Sequence, residues 1–118
     1  MRYENIIDVL SSRFPEVSRR YNEEKDYVEG LPHLVFEIVF VPYFREVMQS
    51  EDQNTKLQVI ELLEEMISCE DEKIQEIVVV SVLEPLLSER DFLKIIRNQL
   101  GLKTQESLQV LEKDFGWA

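Results

Sequence analysis

The chain has 118 residues, 44% of them hydrophobic, and carries 24 acidic against 13 basic side chains for a net charge of −11. It is too apolar to stay disordered, too interrupted by charge to span a membrane, and too acidic to bind nucleic acid or an anionic lipid surface directly. One domain, residues 1–118, is what this length supports, with enough chain to bury a modest core.

The opening segment 1–17 is amphipathic. Glu4 and Asp8 break up Ile6, Ile7, Val9 and Leu10, so it lacks the continuous apolar core of a secretion signal, and a cytoplasmic location is expected. The single cysteine, Cys69, excludes an intrachain disulfide and fits a reducing compartment. A first helix should end near Arg13, because Pro15 disfavours helical geometry at Phe14 and is suited to begin the next helix. Residues 16–27 then read as one short exposed helix stopped by Gly30. Pro32 opens a third helix that runs to about Gln49, and Pro42 should kink or break it.

The stretch 55–87 reads as two antiparallel helices joined by an acidic turn. In the first, Leu57, Ile60, Leu63, Met66 and Ile67 recur at three- and four-residue steps, with Glu61, Glu64 and Glu65 opposite them. The second is apolar almost all round from Ile77 to Leu83, as expected of a central helix. Ser68 reads as a capping serine ahead of Glu70, Asp71 and Glu72. A buried β-strand over 77–83 is the competing reading, since a short β-branched run has no decisive period. The helix-forming approach 71–76 and the lack of strand partners weigh against it.

Ser88 followed by Asp91 has capping-box spacing ahead of a helix carrying Phe92, Leu93, Ile95, Ile96 and Leu100. Gly101 reads as a C-terminal stop, Thr104 as the start of the last helix, and Trp117 as docked on the body of the domain. The fold class is therefore all-α: about seven short helices in an antiparallel array, with a repeat-like middle.

Charge is concentrated. Residues 51–76 hold nine acids against two bases, a balance of −7 out of the chain's −11. Such a field would attract a basic protein surface. The plain alternative is a solvated face that keeps a small protein soluble.

The residues give little for an enzyme. Cys69 would need a base within reach, and the only histidine, His33, belongs to a different helix. Neither a nucleophile elbow nor a phosphate-cradling loop is present. One histidine and one cysteine do not build a zinc site, and Glu70-Asp71-Glu72 lacks the alternating ligands of a calcium loop, so no metal or cofactor is expected. His33 is expected to cap its helix or pack beside Pro32.

On segment 31–36, the Leu62–Met66 stretch of the first paired helix and segment 71–84, the chain resembles small acidic all-helical bacterial proteins, and the pair at 55–87 is similar to a HEAT-type repeat. Members of such families occur among the immunity proteins that accompany polymorphic and contact-dependent toxins. The resemblance implies a protein that neutralises a cognate basic toxin domain, plausibly a nuclease. Glu61, Glu64, Glu65, Glu70, Asp71 and Glu72 would form the acidic binding surface, with Tyr43 or Tyr27 as an aromatic anchor. The alternative function is a HEAT-like adaptor that uses an apolar groove built from Phe36, Phe40, Tyr43 and Phe44.

Overall fold

Two prolines lie within long helices without ending them, and the helices they occupy carry the core. The computed structural model describes residues 1–116, among which the chain forms eight helices and no strand. They are α1 (Ile6–Arg13, after a single 3-10 turn), α2 (Pro15–Glu23), α3 (Lys25–Val28), α4 (32–48), α5 (Gln53–Ile67), α6 (72–86), α7 (Arg90–Ile96) and α8 (Leu102–Asp114). Trp117, expected to dock on the domain, lies outside the described residues.

Helices α4 and α6 share one internal device. Each widens into a π-helical segment, Val35–Phe40 in α4 and Ile77–Leu83 in α6, that ends two residues before its proline. At the exit from each segment the Val41 N–H donates to the Phe36 carbonyl and the Glu84 N–H to the Val79 carbonyl, both five residues back. A proline in a regular helix lacks a donor and its ring collides with the carbonyl four residues earlier; a wider turn displaces that carbonyl and keeps the helix continuous. Pro42 therefore does not break α4 as its sequence implies. The β-branched run 77–83 is helical too, which disposes of the strand alternative.

Connections between neighbours are short, so α4, α5 and α6 run up, down and up. The hydrogen bond between His33 and Ser81 and the ion pair between Arg45 and Glu89 join α4 to the α6–α7 strand of chain in the same order, consistent with α4 and α6 pointing the same way. Helix α5 packs against α4, α6 and α8 and buries Val59, Leu62, Leu63 and Met66. With three neighbours its buried stripe is displaced from the expected one, and Leu57 is left 57% exposed.

Aromatic rings form the core's spine. Phe40 lies 5.3 Å from Phe36, 5.8 Å from Phe44 and 6.5 Å from Phe14, and Phe44 meets Phe92 edge-on at 6.3 Å. Phe36, Phe40 and Phe44 are fully buried, so the segment read as an adaptor groove is core instead. Around this core, arginine–carboxylate pairs join helices at the surface: Arg13–Glu65, Arg20–Glu46, Arg45–Glu89 and Arg97–Glu112.

Several helix starts differ from their sequence reading. Residues 16–27 divide at Glu24, whose φ of −102° and ψ of 9° separate α2 from α3. The cap of α6 is Asp71 rather than Ser68: its carboxylate accepts from the Lys73 N–H at 3.0 Å. At α7 the N-cap is Glu89, and the Ser88 hydroxyl donates back to the Pro85 carbonyl instead. Gly101 is the N-cap of α8, which begins at Leu102 and not at Thr104.

Candidate functional site

Three carboxylates of the acidic stretch are occupied at helix starts. Asp52 accepts from the Thr55 N–H at 3.1 Å and its hydroxyl at 2.7 Å, which caps α5. Asp71 caps α6 and also accepts the Tyr3 N–H at 2.9 Å, tying down the amino-terminal turn. The backbone N–H groups of Tyr3 and Lys73 hold its carboxyl below the usual range.

Glu64 reaches out from the last turn of α5 to close the start of α8. Its carboxylate accepts from the Lys103 N–H at 2.9 Å, the Thr104 N–H at 3.0 Å and the Thr104 hydroxyl at 2.8 Å. Burial pushes the Glu64 carboxyl up, but these donors outweigh it and leave the carboxyl below its ordinary value. Gly101 makes room for it: a Cβ there would lie 2.3 Å from Glu64 Oε1. Glu64 thus faces α8, where unpaired first-turn N–H groups favour a carboxylate, and not solvent.

The remaining carboxylates divide into paired and unpaired. Glu65 forms an ion pair with Arg13 across α5 and α1. Of the nine acids in 51–76, five are exposed and make no hydrogen bond or ion pair among the described residues: Glu51, Glu61, Glu70, Glu72 and Glu76. Glu61, Glu64 and Glu65 line one shallow groove of about 340 Å³ together with Ser68. Glu61 also borders a neighbouring cleft of about 290 Å³ formed with Arg13, Phe14 and Gln58.

The two tyrosines fare differently. Tyr43 packs its ring edge-on against Phe14 at 5.9 Å, beneath the Arg20 guanidinium at 5.6 Å, and burial raises its hydroxyl's pKa. It supports the wall behind the Glu61 cleft and is no protruding anchor. Tyr27 is 66% exposed on α3, and no hydrogen bond, ion pair or ring contact joins it to the α5 groove. The structure brings together Glu61, Glu64 and Glu65, sets Asp71 between Glu70 and Glu72 at the α6 start, and leaves Tyr27 apart.

His33 does not cap α4. Its Nδ1 shares a 3.0 Å hydrogen bond with the buried Ser81 hydroxyl, and its ring lies 6.2 Å from Tyr3. Cys69 is half-buried, and its thiol donates to the Met1 carbonyl at 3.4 Å. Among the described residues no group of three or more His, Cys, Asp or Glu side chains converges to hold a metal ion. Nor is any helix there long and apolar enough to cross a membrane.

The fold and this surface define an all-α domain with five exposed carboxylates between residues 51 and 76 that make no hydrogen bond or ion pair among the described residues, and others like them elsewhere on the surface, such as Glu24, Asp26, Glu29 and Glu37. Residues 7–117 match a family described as a domain of unknown function, DUF7674, and the chain belongs to that family. No curated protein and no solved structure matches it.

Proposed function

We propose that the protein is a cytoplasmic, non-catalytic binder that neutralises a basic partner, in the manner of the toxin-immunity proteins its sequence resembles, with a cationic nuclease domain as the fitting target. One observation carries this reading. Most arginines are tied into ion pairs between or along helices, while Glu61 on α5, Glu70 in the α5–α6 turn and Glu72 at the start of α6 are exposed and form no ion pair among the described residues. Unanswered charge of one sign on a rigid helical surface accelerates encounter with a surface of the opposite sign and orients it. The HEAT-like reading of the helix pair 55–87 supports the same use, since such hairpins present their faces to protein partners.

Capping and charge assign the candidate residues separate roles. Glu61, Glu70 and Glu72 are the contact residues; Glu65 adds to the field beside its arginine; Glu64 and Asp71 keep the surface in shape. The test is capture of partners from the native cells by tagged wild type and by a triple variant, Glu61→Lys with Glu70→Lys and Glu72→Lys. Wild type should retain a single basic protein, lose most of it as salt rises from about 0.05 to 0.5 M, and abolish its activity. The triple variant, with unchanged helicity, should retain none. Retention of the same partner by both proteins would place the contact elsewhere, and recovery of no basic partner would overturn the reading.

A further inference from the structure

Helices α6 and α8 leave between them a groove of about 320 Å³ lined by Val79, Val110 and Leu111, with Ser107 at its side and Glu106 and Asp114 at its rim. Val110 is 59% exposed, and Val80, the next residue of the π-helical segment, is 44% exposed. Aliphatic side chains left open to water beside a concave surface are a recognised mark of an interaction site.

We propose that this groove docks a basic amphipathic helix of a partner protein. Length and charge both select that occupant. From Glu106 to Asp114 the groove runs about 12 Å at 1.5 Å per residue, which is two turns of a helix laid along it. A helix that offers apolar residues at i, i+3, i+4 and i+7 would set them over Val79, Val110 and Leu111. Among the described residues the charged groups lining the groove are the carboxylates of Glu106 and Asp114; the lysines of α8, Lys103 and Lys113, do not line it. Glu76, exposed one turn before Val80 on α6, adds a third carboxylate to that side. An acidic partner helix and an anionic membrane are both disfavoured by this rim and by the chain's net charge of −11. The proposal does not rest on the toxin-neutralising reading, since the residues lining the groove include none of Glu61, Glu70 and Glu72.

The probe is a fluorescein-labelled leucine–lysine peptide of roughly 14 residues patterned as an amphipathic helix, followed by anisotropy against the full chain. Its control is a scramble of equal composition with the leucines spread all round. The amphipathic peptide should bind with a Kd on the order of 10 µM and at least about tenfold more tightly than the scramble. Val110→Arg should weaken it by about tenfold or more, and the pair Glu106→Lys and Asp114→Lys by several-fold with a flatter salt dependence. All three positions are on the surface; the paired variant carries the test alone if Val110→Arg disturbs helicity. Equal binding of peptide and scramble would reduce the effect to general charge attraction and overturn the proposal. So would wild-type binding by the groove variants, or loss of binding only in the Glu61, Glu70 and Glu72 triple variant. Dimerisation of the wild type that Val110→Arg abolishes would assign the groove to a second copy of the chain and overturn it as well.

Discussion

Glu64 and Gly101 act as one unit although 37 positions separate them in the sequence. The glycine's φ of −63° and ψ of 157° are open to any residue, so backbone freedom does not call for glycine here; the carboxylate occupying the space of a side chain does. Gly101→Ala should therefore displace Glu64 and cost about as much as losing the cap, roughly 1 kcal/mol, which corresponds to several degrees in Tm for a domain of this size. Glu64→Ala should cost about the same, also roughly 1 kcal/mol. Together they should cost little more than either alone, because once the carboxylate is gone the three atoms nearest to an alanine Cβ at 101 are gone with it, and alanine constrains the unfolded chain. Additive losses in a double-mutant cycle by urea denaturation would show that the two positions are independent. Nothing in the local sequence reveals this link: Glu64 fits the polar side of α5 as well as Glu61 does, and only the position of α8 tells them apart.

At the scale of the helix, periodicity made the apolar segments legible, including the run of α4 across Pro42 to about Gln49, while a break at that proline does not occur. A break at Pro42 follows from regular α-geometry, yet both internal prolines are reached through a π-helical turn, which has no recognised pattern in the local sequence beyond a run of large apolar residues. The same run hid its burial. Val35, Phe36, Val39 and Phe40 are all buried because the segment passes through the centre of the molecule, so the aromatics at helical spacing pack inward and the alternative of an open aromatic groove falls. Phe40 touches three other rings, so Phe40→Ala removes the middle of the spine and should cost about 3–5 kcal/mol, enough to leave a domain of this size largely unfolded on warming. Tyr27→Ala, on an exposed ring, should change stability by less than about 0.5 kcal/mol. Thermal melts followed by circular dichroism check both, and comparable losses in the two variants would contradict the burial of Phe40 as the source of its effect.

For the molecule as a whole, composition gave the sign and place of the charge, but not its division into structural and free carboxylates. That division depends on which helix ends approach which acids, and it predicts how the fold responds to pH. The carboxyls of Glu16, Glu46, Asp52, Glu64 and Asp71 all titrate below their ordinary values in the folded chain, Glu16 down to about 2 under hydrogen bonds from Arg19 and Arg20. A carboxyl whose folded pKa is depressed binds its proton more readily when unfolded, so its stabilising contribution is complete above the unfolded value and disappears as pH falls through the folded one. Tm should accordingly hold level from neutral pH down to about pH 5, then fall continuously between about 4.5 and 2. Glu64→Gln should reduce the total acid loss. If instead the melting curves of wild type and Glu64→Gln had the same pH dependence throughout, the Glu64 carboxylate would not be the charged cap of α8 that its three hydrogen bonds describe.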